Sequence, residues 1–301
     1  MGRVIGSTAL GLVVLLCLGG TACVAEQPSQ TRRAILDGER TLPGQYPATG
    51  GLVLDGEIFC TGTLVASNAV LTAAHCIDPV DLGTTLPKFT LVHDEADITL
   101  FNVYQGRAVR IHPGYVRDSG VTSPGLVNDI GILLLVMDVE DVTPELIATP
   151  EEAAEALTAF TDMEIVGYGW TSMDEAEAGV KHHGVTPLRV VGAWELQLGW
   201  PGGPQPCYGD SGGPIFYSLP GGDRRIVGVV SRGPGEEPGC DDGAIATRAD
   251  SYGDWVESVA GEGTGCAVAG RSPAPLGTVL VLLFGAAALG WGRRRRYSGK
   301  P

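Results

Sequence analysis

Positive charge is scarce in this 301-residue chain: 20 lysines and arginines stand against 35 aspartates and glutamates, a formal net charge of −15. The deficit is uneven. Between Ile35 and Glu262 there are 11 basic residues and 34 acidic ones, a local net charge of −23. Such a body repels phosphate backbones, which excludes nucleic acid as the expected partner. The sequence also lacks an internal repeat, and it lacks a spacing of cysteines or carboxylates that would hold a metal. His182-His183 lies in a Gly-rich stretch expected to be a solvated loop, and acidic Asp141–Glu155 is without a calcium-loop signature and is expected to be a solvated face. No metal and no cofactor are expected. Helix-forming composition is confined to Pro150–Phe160 and to Ser251–Val259 near the end of the acidic body.

What the chain does have is apolar residue, 44% of the total, and 45 glycines, a mixture that suits a β-rich protein better than a helical bundle. Its length allows about two domains, or one domain with two lobes. Short apolar runs alternate with turn signals from Gly51 onward. Gly51–Leu54, Asp55-Gly56 and Glu57–Thr61 read as a hairpin, because Asp-Gly favours a two-residue turn. Thr63–Val65, Ala69–Thr72, Phe89–Val92, Ile98–Val103, Ala108–Ile111 and Asp129–Met137 continue the strand pattern. Pro150–Phe160 falls where two lobes would join, and strand-like runs resume at Met163–Tyr168, Leu188–Leu198 and Ile226–Val230. The spacing predicts an antiparallel sandwich or barrel.

The two ends have a different character. Residues 1–25 read as a secretory signal: Arg3, an apolar run over Ala9–Leu18, then Gly19-Gly20-Thr21-Ala22 as a small-residue exit. Gly20-Thr21-Ala22-Cys23 also resembles a lipoprotein signal, in which Cys23 is lipidated after cleavage. A short polar leader, 26–34, ends in Arg32-Arg33-Ala34. Beyond Glu262 come Gly265-Cys266, a Gly/Pro/Ser linker, an apolar run over Leu276–Trp291, and Arg293-Arg294-Arg295-Arg296. With Ala274, Pro275 and Gly292 the run reaches the roughly 17–25 residues that cross a bilayer, and the arginines act as a stop-transfer signal. This tail over 263–301, with a transmembrane segment near 274–292, resembles a myxobacterial C-terminal sorting signal, which implies processing near Cys266 and attachment at the cell surface. A plain membrane anchor fits the same residues.

Three local motifs carry chemistry. Cys207-Tyr208-Gly209-Asp210-Ser211-Gly212-Gly213-Pro214 is poor material for regular structure. It suits a loop that turns a hydroxyl outward beside bare backbone N–H groups, the geometry acyl transfer requires. A tight turn capped by Asp or Ser has the same composition. Leu71-Thr72-Ala73-Ala74-His75-Cys76 ends a strand on a histidine, with Cys60 upstream across the hairpin. In an exported chain a bridge between Cys60 and Cys76 would pin the backbone that carries His75. Asn128-Asp129-Ile130-Gly131 starts an apolar strand with an aspartate, a charge that is costly there unless paired. Pairing with a histidine N–H would satisfy it and fix the imidazole tautomer.

In chain order these are His75, Asp129 and Ser211, and here the sequence resembles the trypsin-like (chymotrypsin-fold) serine proteases. Thr-Ala-Ala-His-Cys, Asn-Asp-Ile-Gly and Gly-Asp-Ser-Gly-Gly-Pro match in order, with softer matches at His112-Pro113-x-Tyr115, Gly167-Tyr168-Gly169 and Val230-Ser231-Arg232-Gly233. The resemblance covers about Ile35–Val259 and implies an all-β fold. Two antiparallel six-stranded β-barrels, near 35–145 and 160–250, would be followed by a terminal helix at 251–259, within a protease domain over 35–262. It implies that Ser211 is the nucleophile, His75 the base and Asp129 its orienting acid, with an oxyanion hole from the N–H groups of Gly209 and Ser211. Disulfides Cys60–Cys76 and Cys207–Cys240 are implied, the latter bracing the substrate pocket. The backbone from Ser231 to Gly233 would pair with a protein or peptide substrate. Gln205 would sit at the pocket base, where an acidic residue would select Lys or Arg. Arg232 stands where the family usually has tryptophan, Gly233 leaves the entrance open, and Gly243 or Ala244 lines the other wall. Activation would follow cleavage after Ala34, the freed Ile35 amine pairing with Asp210. The expected product is an exported, surface-anchored serine endopeptidase. A catalytically silent homologue binding a partner through the same cleft, and an ester hydrolase, are the rival readings. Cys23 and Cys266 remain for anchoring or pairing.

Overall fold

A computed structural model describes residues 35–263, apart from 118, 121, 172–177 and 236–238. The expected signal (1–25), the leader (26–34), Cys23, Cys266 and the transmembrane segment near 274–292 lie outside the described residues. Among the described residues no helix is long and apolar enough to cross a membrane.

After a two-residue strand β1 (Glu39–Arg40), the chain forms β2 (Thr49–Leu54), β3 (Glu57–Ala66), β4 (Ala69–Thr72), the short helix α1 (Pro79–Leu82), β5 (Lys88–Thr90), β6 (Val103–Ile111) and β7 (Gly131–Leu135). Strands β2 to β7 close into an antiparallel barrel in the order β2-β3-β4-β7-β6-β5. The β2–β3 hairpin forms at Asp55-Gly56 as the sequence predicts, both residues taking positive φ beside the Leu54–Glu57 pair. Strands β4 and β7 are buried along their whole length, because they have apolar neighbours on both faces. Leu133 and Leu135 of β7 point into the barrel with Leu52, Leu64, Val70 and Phe89. The alternating residues Ile132 and Leu134 belong to a second layer with Val166, Phe216, Ile226 and Val229. That layer is the seam between the lobes.

The connecting helix α2 (Pro150–Ala156) starts on a capping box between Thr149 and Glu152 with Pro150 in its first turn. It is shorter than the Pro150–Phe160 expectation, since Phe160 takes a φ of 69° and its N–H donates to Leu188 O. The stretch Asp141–Glu155 is also less solvated than its charge suggests: Glu145 pairs with Arg224 and Glu152 with Arg225, fastening the connection to the second lobe.

That lobe consists of β8 (Asp162–Gly167), β9 (His182–Val191), β10 (Glu195–Leu198), β11 (Pro214–Ser218), β12 (Arg224–Arg232) and β13 (Ala244–Arg248). They run in the order β9-β10-β13-β12-β11-β8, and β8–β9 pairing closes the six into a second antiparallel barrel. Its interior includes Met163, Ile165, Leu188, Leu196, Ile215 and Val227. The terminal helix α3 (Gly253–Ala260) follows and sends Val256 and Val259 into the seam.

Four expectations are corrected. Ile98–Val103 is not a strand: Asn102 accepts from Thr99 N and donates to Asp97 O, closing a turn that β6 leaves at Val103. Leu188–Leu198 is two strands, folded back where Gly192 N donates to Glu195 O. His182-His183 is in β9 and not in a solvated loop, and His182 is buried. Residues at the start of the protease domain lie along the second barrel and not the first, with β1 paired to His182-His183 and Leu36 paired to Gln205.

The seam and the two barrel interiors share strands, so a cavity in one is expected to destabilise the whole domain. Leu133→Ala removes a fully buried side chain and should lower unfolding free energy by about 2–5 kcal/mol. Urea denaturation in a Ser211→Ala background reads this; a loss under 1 kcal/mol would contradict the packing described.

Candidate active site

Strand β4 ends at Thr72, and buried Ala73 and Ala74 lead into a single turn of 3-10 helix, His75–Ile77. A disulfide from Cys76 to Cys60 ties this turn back to β3, with 6.2 Å between the Cα atoms. The turn carries His75 off the strand end. Its Nδ1 is 2.8 Å from Asp129 Oδ2, and its backbone N–H donates to Asp129 Oδ1 at 3.0 Å. One carboxylate therefore holds both the ring and the backbone. A carboxylate facing Nδ1 places the proton there, which leaves Nε2 as the basic atom.

Asp129 precedes β7 and is only 3% exposed. Asn128 before it adopts a φ of 55°, and its side chain accepts from Tyr252 Oη at 2.7 Å while donating to Gly114 O at 2.6 Å. Tyr252 and Trp255 also pack edge-on against His112, so the terminal helix region steadies the approach to Asp129. From the second barrel, Thr247 Oγ1 donates to Asp129 O at 2.9 Å and Ser231 Oγ donates to Asp129 Oδ2 at 2.6 Å. Burial opposes ionisation of this carboxyl, but the His75 charge and the hydrogen bonds from His75 and Ser231 outweigh it and hold it below the ordinary carboxylate range. His75 shows the converse: burial disfavours its charged form, yet Asp129 raises it above the usual imidazole value.

Ser211 arrives on the loop between β10 and β11, braced by the Cys207–Cys240 disulfide. Thr61 of β3, a residue no sequence motif marked, donates its N–H to Ser211 O at 2.8 Å and its hydroxyl to Gly209 O at 3.0 Å. The loop's N–H groups divide into two sets. Those of Asp210, Gly212 and Gly213 are taken by Cys207 O, Val230 O and Asp210 O. Among the described residues no acceptor takes the N–H of Gly209 or of Ser211. Gly212 is required by space as well as by its φ of 82°, since a Cβ there would lie 2.0 Å from Thr72 Oγ1 and 2.3 Å from Thr61 O. Ser211 Oγ itself donates to Ser231 O at 3.5 Å, and no hydrogen bond joins it to His75 in this structure.

Asp210 points away from the cleft into the protein. It is fully buried, and its two oxygens accept from Gly169 N and Cys207 N, each at 2.8 Å. Burial outweighs those bonds and pushes its carboxyl up to about 7. Ile35 is also fully buried, and the adjoining Leu36 pairs with Gln205, which places this segment against the loop that carries Asp210.

A cleft of about 600 Å³ opens over His75, Asp129 and Ser211. Ser231, Arg232, Gly233, Gly243 and Ala244 line it, as the sequence suggests. Gln205 does not reach its surface: the side chain is 1% exposed, beneath Gly199, and its Oε1 has no hydrogen-bond partner among the described residues. Arg232 lines the cleft but is engaged by Glu195 in a two-pronged ion pair at 2.8 and 2.9 Å. Tyr208, half-exposed at the rim, packs against Trp170 with ring centroids 5.0 Å apart. Neither Glu195 nor Trp170 lies in a motif, so only the fold brings them here. Cys60, His75 and Cys76 cluster closely enough to hold a metal, but both thiols are consumed in the disulfide.

A hydroxyl on a braced loop, an imidazole held by a buried carboxylate and two unpaired N–H groups, all at the meeting of two antiparallel barrels, define a serine hydrolase. The trypsin family model matches residues 35–256, and the chain belongs to that family: it is a serine-type endopeptidase. It is 29% identical over 218 residues to a trypsin of Saccharopolyspora erythraea, an alignment covering 67% of this chain and 87% of that one. It is 28% identical over 277 residues to chymotrypsin-C of Rattus norvegicus, covering 84% of this chain and 97% of the relative.

The contact at Gly212 yields a direct expectation. Gly212→Ala must displace Thr72 or the Ser211 loop, and kcat/KM should fall by about 10²-fold or more, as misplaced catalytic groups typically cause. Near-wild-type kinetics with a peptide ester substrate would show that the loop has room to adjust.

Proposed function

We propose that His75, Asp129 and Ser211 form the catalytic triad of an endopeptidase that is exported and anchored at the cell surface. The observation that carries the reading is the arrangement of Asp129, which is fixed by donors from both barrels and aligned on His75 beside the two unpaired N–H groups of the Ser211 loop. A substrate strand adds to the backbone of Ser231–Gly233 and brings its carbonyl carbon to Ser211 Oγ. The hydroxyl turns from Ser231 O toward His75 Nε2 as substrate binds, since catalytic hydrogen bonds absent from a free enzyme tighten in the complex. Oγ attacks the carbonyl as its proton passes to Nε2, and the oxyanion is received by the N–H groups of Gly209 and Ser211, each donor being worth about 10²–10³ in rate. The His75 proton then passes to the leaving amine as the C–N bond breaks, which leaves an acyl ester on Ser211. Water, deprotonated by His75, attacks that ester, and the proton returns to Oγ as the acid departs. Asp129 stays ionised throughout.

The same reading covers activation. Cleavage after Ala34 frees a cationic amine on Ile35, and Asp210 is the buried carboxylate that lacks a full positive partner. The amine supplies one and fixes the Gly209–Ser211 backbone in its donor orientation. Protein and peptide chains are the substrates, and Gln205, buried beneath Gly199, presents no charge to the pocket. Export is supported by the residue 1–25 signal pattern, and anchoring by the apolar run and four arginines of the tail.

Hydrolysis of a quenched-fluorescent peptide library tests the chemistry. Ser211→Ala should lower kcat by about 10⁴-fold or more. The acid limb of kcat/KM should lie above about 6.5, the unperturbed imidazole value, because His75 must be neutral and is held above its ordinary range. Equal activity in wild type and Ser211→Ala would refute the triad.

Linkage gives a second expectation. The Asp210 carboxyl, raised from 3.8 to about 7 in the uncleaved chain, binds more protons folded than unfolded across that interval. Its contribution to stability therefore declines as pH rises from about 4 to 7. Pairing with the Ile35 amine removes this loss. The stability difference between cleaved and uncleaved protein should thus widen with pH over that range in denaturant titrations, and a constant difference would argue against the pairing.

A further inference from the structure

The rim of the cleft holds a buried ion pair that the triad chemistry does not use. Glu195 opens β10 and is fully buried; Arg232 ends β12; β13 lies between the two strands. The guanidinium grips both carboxylate oxygens, and it also donates to Ser231 Oγ and to Ser123 O, each at 3.3 Å. Glu195 Oε2 accepts a further bond from Gly125 N at 2.6 Å. Ser123 and Gly125 lie in the first barrel's connection from β6 to β7, the segment that delivers Asp129. The pair therefore joins β10 and β12 of one barrel to the other barrel's route into the catalytic carboxylate.

Its effect on Ser231 is specific. A hydroxyl that accepts from a guanidinium has its own hydrogen left to give, and Ser231 Oγ gives it to Asp129 Oδ2 at 2.6 Å. Apolar side chains of similar volume would fill the same space with no charges to desolvate, so stability alone does not call for an ion pair there. A planar fork that meets four acceptor atoms on three segments is suited to fixing geometry.

We propose that Glu195 and Arg232 are positioning residues that hold Ser231 and the 123–125 segment so that Asp129 stays aligned on His75. The inference rests on the triad reading of His75. Arg232 would otherwise be a specificity residue of the cleft wall; here its charge is committed inward and Glu195 is its fixed counterpart.

The test reads His75 directly. The charged groups facing its imidazole are Asp129, Asp81 and Arg232, and Asp81 is itself paired with Arg117. In the full chain carrying Ser211→Ala, the His75 imidazole is titrated by NMR and assigned with His75→Gln, a readout independent of peptide hydrolysis. Arg232→Gln leaves Glu195 unpaired and should raise the His75 pKa. Glu195→Gln leaves Arg232 uncompensated and should lower it, and the double variant should return it close to the parent value. With Ser211 restored, Arg232→Lys should keep the acid limb of kcat/KM in place while kcat falls about tenfold, the typical worth of one hydrogen bond to a charged group. Arg232 faces the imidazole, so the single variants move His75 by charge alone. The positioning role is read from Arg232→Lys, which keeps the charge, and a parent kcat in that variant overturns the proposal. The double variant leaves no charge unpaired and so guards against loss of folding in the singles. If it folds and cleaves peptides at the parent rate, the proposal is also overturned. If the parent protein cleaves no peptide, the triad reading fails and the positioning inference that rests on it fails with it. Parent activity left unchanged in Arg232→Lys and in the double variant overturns the positioning inference alone.

Discussion

A single buried carboxylate sets the terms for the rest of the site. Asp129 carries its charge where water does not reach, and such a charge persists only with partners on its lone pairs. The first barrel supplies the His75 ring and backbone, and the second supplies Ser231. The main-chain carbonyl of the same residue is held by Thr247. The seam between barrels is therefore more than a packed apolar layer: it is where the Asp129 carboxylate meets donors from both lobes. Thr61 does the complementary task at Ser211, reaching from the first barrel to grip the loop grown by the second. The cleft follows from these two crossings.

Two buried carboxylates then part company. Asp129 is held ionised by a neighbouring imidazole and three hydrogen bonds, whereas Asp210 has only two backbone donors and is pushed up to about 7. Environments that drive like groups apart in this way assign them different tasks. In the proposed mechanism the first orients a base through every turnover. The second, in the same proposal, receives the amine that cleavage after Ala34 would free. The acidic exterior, by contrast, takes part in neither, and its −23 charge over residues 35–262 bears on solubility.

The parts of this organisation that were legible in the sequence are local. His75, Asp129 and Ser211 lie in short runs whose neighbours announce them: Cys76 to anchor, Asn128 to turn, Gly212 to clear Thr72. The Asp55-Gly56 hairpin was visible for the same reason, since two adjacent residues determine it. Long-range partners left no such trace. Glu195 looks like one acidic residue among many until β10, β13 and β12 line up, and Thr61 looks like an ordinary strand threonine. Apolar content misled where side chains, not strand pairing, satisfied the backbone, as Asn102 does in the turn over 97–102. It misled again at Leu188–Leu198, where apolar residues on both sides of Gly192 conceal a reversal there. Gln205 was assigned to the pocket by its distance from Ser211, but the fold buries it one layer below the surface.

The central claim is that Ser211 is a nucleophile activated by His75 and Asp129 across the seam. Labelling of the activated chain with a fluorophosphonate probe addresses it most directly. A single adduct on the peptide containing Ser211, lost in Ser211→Ala and strongly slowed in His75→Ala and Asp129→Asn, is the expected result. An absence of adduct on cleaved, folded protein, or labelling that is unchanged in those variants, would contradict it.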